Sequence, residues 1–318
     1  MRFWGSRIIG HENRMADSSC SSERKMTDIP AATPLNSGRA PLIAWCLYDF
    51  ANSAFTTIIV TFVFATYFAT GIASDPDSGG AQWSFAMAIA GLLIALLSPV
   101  FGAIADQTGR RKPWLALVSI VCVTATALLW FAEPTASDVP WALTFAIIAT
   151  VGFEMGMLFY NAMLPDITRP ETMGRVSGWA WGVGYAGGLV SLAIALFGFV
   201  QADPPPFGLD TGSAEHVRAT SLVVAIWFVV FALPLFVIIK EPKGATVPLG
   251  TAVKQGLRQL GTSFRNVRRH ANRFRFLLAA MIYTDGVHTV FSLGGVYAGV
   301  TFGMALDEVI VLGIALNV

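Results

Sequence analysis

The chain has 318 residues, of which 54% are apolar and only 13% charged, and it carries a net charge of +1. That balance lies well away from an ordinary soluble chain; the near-zero charge points to no particular partner, and none of nucleic acid is expected. Cys20, Cys46 and Cys122 are odd in number and show no metal or redox spacing, so they read as packing or tail residues.

Residues 1–41 are Ser-rich, charged and broken by Pro30 and Pro34, without the apolar core of a secretory signal. A disordered cytoplasmic tail is expected there. A bilayer core of about 30 Å needs roughly 20 apolar residues per helix. Seven stretches reach that length, at about 42–72, 82–105, 114–132, 140–164, 174–200, 220–239 and 274–302. An eighth begins near Leu306 and reaches only Val318, about half the hydrocarbon depth, so the chain is expected to be truncated at its C-terminus.

Twenty of the 21 lysines and arginines lie in the tail and in the second, fourth and sixth gaps between these stretches. The other gaps hold acids, with Arg218 the sole exception. Cations in short loops stay on the cytoplasmic side, so the tail and the even gaps are expected to be cytoplasmic. The domain plan is a tail (1–41), a six-helix bundle (42–239), a basic linker (240–273) and the start of a second bundle (274–318). Within the linker, Leu249, Val253, Leu257, Leu260, Phe264 and Val267 recur at helical spacing among Lys254, Arg258, Arg265, Arg268 and Arg269. The pattern predicts an amphipathic helix on the anionic inner leaflet, or else an unstructured basic linker.

In the first span Asp49, Asn52, Ser53 and Thr56 follow an i, i+3, i+4, i+7 pattern and share one stripe. Asp285, His288, Thr289 and Ser292 do the same in the seventh, 236 residues later. The match suggests parallel six-helix halves in which both stripes face the interface between them. Polar stripes at membrane depth face a water-filled cavity or another helix. For Asp49, solute contact and a structural gate role both remain open. Glu154, in mid fourth span with Asn161 on the same face, suits proton coupling or serves as an interhelical hydrogen-bonding group. His288 is either a proton carrier or a packing residue. The glycines of the fifth span, among them Gly178, Gly182, Gly184, Gly187 and Gly188, indicate close helix packing.

Between the second and third spans stands Gly102-Ala103-Ile104-Ala105-Asp106-Gln107-Thr108-Gly109-Arg110-Arg111-Lys112. This loop resembles the signature loop of the major facilitator superfamily, with Gln107 in place of the usual basic residue. The resemblance implies a cytoplasmic gate in which Gly102 allows close packing, Gly109 a tight turn, and Asp106 accepts backbone hydrogen bonds or pairs with cations. Asp166 and Glu171 are the available acids for Arg110 and Arg111. Trp45-Cys46-Leu47-Tyr48-Asp49-Phe50-Ala51-Asn52, Phe159-Tyr160-Asn161-Ala162-Met163-Leu164-Pro165-Asp166, Gly174-Arg175-Val176-Ser177-Gly178 and Tyr283-Thr284-Asp285-Gly286 are similar to the vacuolar effluxer branch of that superfamily. That similarity implies an all-α, polytopic major facilitator fold of six plus six helices, here with seven complete spans and part of an eighth. It also implies a secondary transporter, a monomer when full length. Fungal members export amino acids from the vacuole.

No Cys/His metal pattern, phosphate loop or nucleophile and base pair appears at membrane depth, so no enzyme, cofactor or metal is expected. A seven-helix receptor would place its N-terminus outside, against the charges. The reading is a multi-pass protein of a bacterial inner membrane that moves a small polar solute, an amino acid being the class that the resemblance raises, by alternating access. Membrane lipid and the solute are its expected partners, with protons as the candidate coupling ion. The alternative left open is a non-transporting fragment or regulatory partner.

Overall fold

The computed structural model describes residues 36, 38–108, 110–241, 249–268 and 270–317. Gly109 and most of the expected tail lie outside them. Among the described residues the fold is all-α: α1 (Arg39–Ile72), α2 (Pro76–Thr108), α3 (Lys112–Phe131), α4 (Ala136–Ile167), α5 (Pro170–Val200), α6 (Glu215–Ile238), α7 (Leu249–Arg268), α8 (Ala271–Phe302) and α9 (Leu306–Asn317). Six of these, α1 to α6, are long and apolar enough to cross a membrane. The seventh expected span is the continuous 32-residue helix α8, with a shorter apolar stretch at Leu293–Phe302. The first helix begins at Arg39, ahead of the expected boundary, because Pro41 sits in its first turn, where no N–H is needed.

Helix α1 is the axis of the bundle. Its most apolar window is 78% buried, against 17% for that of α2, so α1 is enclosed by protein while α2 keeps most of its surface outward. Aromatic and glycine contacts fix the helices around it. Trp45 stacks on Tyr160 of α4 at 4.5 Å, with Tyr48 on the same ring at 4.9 Å. Tyr160 donates to the Trp45 carbonyl and Trp45 to that of Tyr160. On α5, Gly184, Gly187 and Gly188 face Asp49, Phe50, Ser53 and Thr57. On α4, Gly152 meets the α3 backbone at Val118 and Cys122. Small residues let helices approach in this way where no water drives them together.

The middle of α1 departs from α-helical geometry. It is π-helical over Phe55–Phe62 and again over Phe68–Ile72. The cause is local. Thr56, Thr57, Ile58, Ile59, Val60 and Thr61 form a β-branched run, which crowds an α-helical turn. Ser53 donates to the Asp49 carbonyl, while Thr56 and Thr57 both donate to the Ser53 carbonyl, competing with the backbone ladder.

The bundle has a basic end, carrying Arg110, Arg111 and Lys112, and an acidic end, carrying Asp75, Glu133, Asp138 and Asp210. At the basic end α7 lies against α2, with Gly256 in the closest contact, on Ala103. At the acidic end α8 crosses α1, Gly295 meeting Thr61 and Phe62, and Gly299 meeting Thr66. Toward the basic end α8 turns exposed, Asp285 included.

Candidate functional site

Asp49 and Asn52 are 8% and 4% exposed, on the side of α1 covered by α4 and α5. Asn52 donates to the Asp49 carboxyl at 3.2 Å and to the Met157 sulfur of α4 at 3.3 Å. Gly184 of α5 leaves room for the Asp49 and Ser53 side chains, which a Cβ there would meet at 3.6 and 2.9 Å. Ser53 and Thr56 are half-buried, one and two turns further along the same face. The first stripe is therefore a packed polar seam between three helices, open along its Ser53–Thr56 half.

Glu154 is half-buried and lies three residues before Met157 on the same face of α4. The two helices run antiparallel, with Asn52 beside Met157 and Phe55 stacked on Phe153 at 5.1 Å. That register sets Glu154 level with Phe55 and Thr56. Asn161, expected on the same functional face, is exposed near the basic end of α4, beyond the aromatic stack. The second stripe stays apart from the first. Asp285 and Thr289 are exposed, and the Thr289 hydroxyl is spent on the Asp285 backbone carbonyl. His288 lies in α8, and its side chain is outside the described residues.

At the basic end Arg111 pairs with Asp166, a 2.5 Å contact between half-buried side chains. Asp106, Arg110 and Glu171 are exposed. Gly102 does not provide the expected close packing, since a Cβ there would meet nothing within 4 Å among the described residues. The small neighbour that does is Ala103, one position round the helix, against α7. Gly109 cannot be placed in the turn.

Sequence reasoning missed the rest of this network. Lys112 donates its Nζ to the carbonyls of Phe236 and Ile239, covering the C-terminal carbonyls of α6, while its backbone N–H donates to the Glu241 carboxylate at 2.7 Å. A cation on a helix C-terminus is favoured by both the free carbonyls and the helix dipole. Asn36 donates to the Lys240 carbonyl and accepts from the Lys240 N–H, both at 2.8 Å, and its own N–H donates to the Asp166 carbonyl. The available signal was an acid, Glu241, directly after an apolar span in an otherwise basic gap.

Arg218, the exception to the charge sorting, is 4% exposed near the start of α6. Its guanidinium donates to the Trp130 carbonyl at 3.1 Å, lies 5.2 Å from that ring's centre, and has Glu133 and Glu215 each at 3.9 Å. It is an internal cation of the bundle and not a loop charge.

A six-span bundle around a central helix with a buried polar seam is the architecture of a multi-pass membrane protein. The chain belongs to the Major Facilitator Superfamily, whose sequence profile matches residues 18–192, a family of transporters and not of enzymes. Residues 171–318 match the family described as "Vacuole effluxer Atg22 like". It is 28% identical over 283 residues to the uncharacterized MFS-type transporter YxiO of Bacillus subtilis, covering 85% of this chain and 62% of that protein. It is 22% identical over 185 residues to autophagy-related protein 22 of Yarrowia lipolytica, covering 51% of this chain and 30% of that one. The chain thus spans less than two thirds of the length of either relative.

Among solved structures, the crystal structure of a D-xylose-proton symporter superposes with a TM-score of 0.58 at 13% identity, covering 87% of this chain and 65% of that one. A bacterial homolog of the human lysosomal transporter Spinster, inward-facing and unoccupied, gives 0.51 at 19% identity, with 87% and 58% covered. At such identities the likeness is one of fold.

Proposed function

We propose that this protein is the substrate-handling part of a secondary active transporter that moves a small polar solute, an amino acid being the first class to test, by alternating access. The observation that carries the reading is the buried Asp49–Asn52 pair. A carboxyl group at membrane depth is costly and is retained where it binds or couples. Here it is held by Asn52 beside Met157, and the seam continues through Ser53 and Thr56 to the level of Glu154. In this reading Asp49 and Asn52 orient the solute's polar groups, Ser53 and Thr56 extend the contact, and Glu154 carries a coupling proton. Asp285, His288 and Thr289 are their counterparts from the second half, with Asn161 near the basic mouth. The contact of Gly295 and Gly299 with α1 lies at the acidic end, away from the proposed gate. The Arg111–Asp166 pair, with Gly102, Asp106, Gly109, Arg110 and Glu171 around it, belongs to the gate at the basic end. With the cations sorted as they are, the N-terminus and the basic end are cytoplasmic.

The test is counterflow in proteoliposomes, each proteinogenic amino acid being offered in turn, with and without a pH gradient. Asp49→Asn should abolish exchange of the accepted solute. Glu154→Gln should keep exchange and lose gradient-driven accumulation. Gradient-driven transport unchanged in both variants would overturn these assignments.

A further inference from the structure

The loop between α5 and α6 holds an aromatic side chain in a conformation that no contact among the described residues explains. Phe207 is 93% exposed and has φ 59°, ψ 10°, the left-handed region that bulky residues rarely enter. Gly208 follows at φ 72°, and the Leu209 N–H closes the turn on the Pro206 carbonyl at 3.2 Å. Three consecutive prolines, Pro204 to Pro206, stiffen the approach. On the far side Asp210 receives the N–H groups of Gly212 and Ser213, and its own N–H donates to the Glu215 carboxylate. The loop is therefore a built support with a phenyl ring at its tip, not a slack connection. In water such a ring would gain nothing for the unfavourable backbone angle.

The surroundings supply a partner. At the acidic end the helices carry other outward aromatics: Phe131 at the end of α3, Trp141 near the start of α4, Phe197 near the end of α5 and Phe302 at the end of α8. Trp141 shows the pattern of an interfacial residue, its indole N–H donating to the Leu128 carbonyl while the ring stays partly exposed. Aromatic side chains gather at the two levels where a bilayer meets water. The exposed apolar face of α5, including Val190, Ile194 and Phe197, leads directly into the loop.

We infer that the Pro204–Leu209 loop folds onto the lipid interface at the acidic end and seats Phe207 at the level of the glycerol groups and the first methylenes of the acyl chains, as an anchor that fixes the level of α5 and α6 in the bilayer. The partner is the bilayer interface itself, through its apolar part. Asp203 and Asp210, on either side, remain in the headgroup water.

The experiment uses the full chain with Cys20, Cys46 and Cys122 replaced, reconstituted in phosphatidylcholine bilayers. A nitroxide on Phe207→Cys is compared with one on Ile226→Cys, from the exposed face of α6, and one on Ser213→Cys, in the Asp210 turn. The ratio of collisions with oxygen to those with a water-soluble nickel chelate should lie between the Ser213 value and the mid-bilayer Ile226 value, well above the former. A ratio at the Ser213 level places the ring in water and overturns the inference. Exclusion of both reagents places it against protein and overturns it equally. Phe207→Trp, which keeps an aromatic ring, gives a second readout: its added fluorescence should be lost in bilayers of brominated phosphatidylcholine, and its persistence there would also defeat the proposal.

Discussion

The seam between α1 and α5 makes a quantitative demand on Gly187. A Cβ at that position would lie 2.5 Å from the Phe50 carbonyl oxygen and 2.9 Å from the Phe50 Cα, about 0.9 and 0.5 Å inside the ordinary 3.4 Å separation. Both obstacles are backbone, so no rotamer change relieves them and α1 must move off α5. Overpacking of this kind costs about 1–3 kcal/mol. Helix propensity acts the other way, Ala being favoured over Gly by about 0.8–1.0 kcal/mol. Gly178 and Gly182, on the opposite face of α5, meet nothing within 4 Å among the described residues, so Gly178→Ala and Gly182→Ala carry the propensity gain alone. The difference between Gly187→Ala and these two isolates the clash. Thermal unfolding in detergent should rank Gly178→Ala and Gly182→Ala at or above the parent and Gly187→Ala below it. Equal stability of all three would refute the close α1–α5 contact.

Arg218→Gln should lower stability by about 1.5–3 kcal/mol through loss of its charged hydrogen bond to Trp130, with Arg218→Lys intermediate because lysine lacks the planar fork; thermal unfolding equal to the parent would contradict the clamp. The Gly212 and Ser213 N–H groups hold the Asp210 carboxyl below its ordinary value of 3.8. Its folded-state value being depressed, its contribution to the loop is present above the unfolded value and lost as pH falls through the folded one. Protection of the Gly212 and Ser213 amides, measured against intrinsic exchange at each pH, should fall over that acid range, and Asp210→Asn should flatten the pH dependence. For orientation, cysteines at Asp77 and Asp210 in a cysteine-free background should react with an impermeant thiol reagent from outside the cell while one at Thr108 should not; the reverse pattern would invert the topology.

Spans and class were legible in the sequence because both depend on sums over many residues. Twenty apolar positions in a row, or twenty cations on alternate gaps, leave little for tertiary structure to overrule. The loop motif likewise led to the Arg111–Asp166 pair, since the acids near it were few. What escaped were choices between equivalent neighbours. The five glycines of α5 read alike as packing residues, and only the structure separates Gly184, Gly187 and Gly188, which meet α1, from Gly178 and Gly182, which meet nothing within 4 Å among the described residues. The same ambiguity exchanged Gly102 for Ala103. Lys112 read as one of three loop cations, although its Nζ ends on α6 carbonyls more than 120 positions away. The π-helical stretch of α1 could have been suspected from its Ser and Thr back-bonds, yet the polar stripe drew attention to side chains and away from the backbone beneath them.

Asn36 and Lys240 are joined by two hydrogen bonds although 204 positions apart. The point where the chain enters the six-helix bundle is therefore also the point where it leaves. During synthesis this junction cannot form until α6 has emerged and inserted, so the segment before α1 waits, its amide unmatched, through the insertion of five further helices. Its closure is a late, long-range contact that marks the completed six-helix bundle. It also means that, for α1 to α6 taken alone, a short link from Lys240 back to Asn36, with new ends opened in an acidic-end loop, would keep those six helices where they stand.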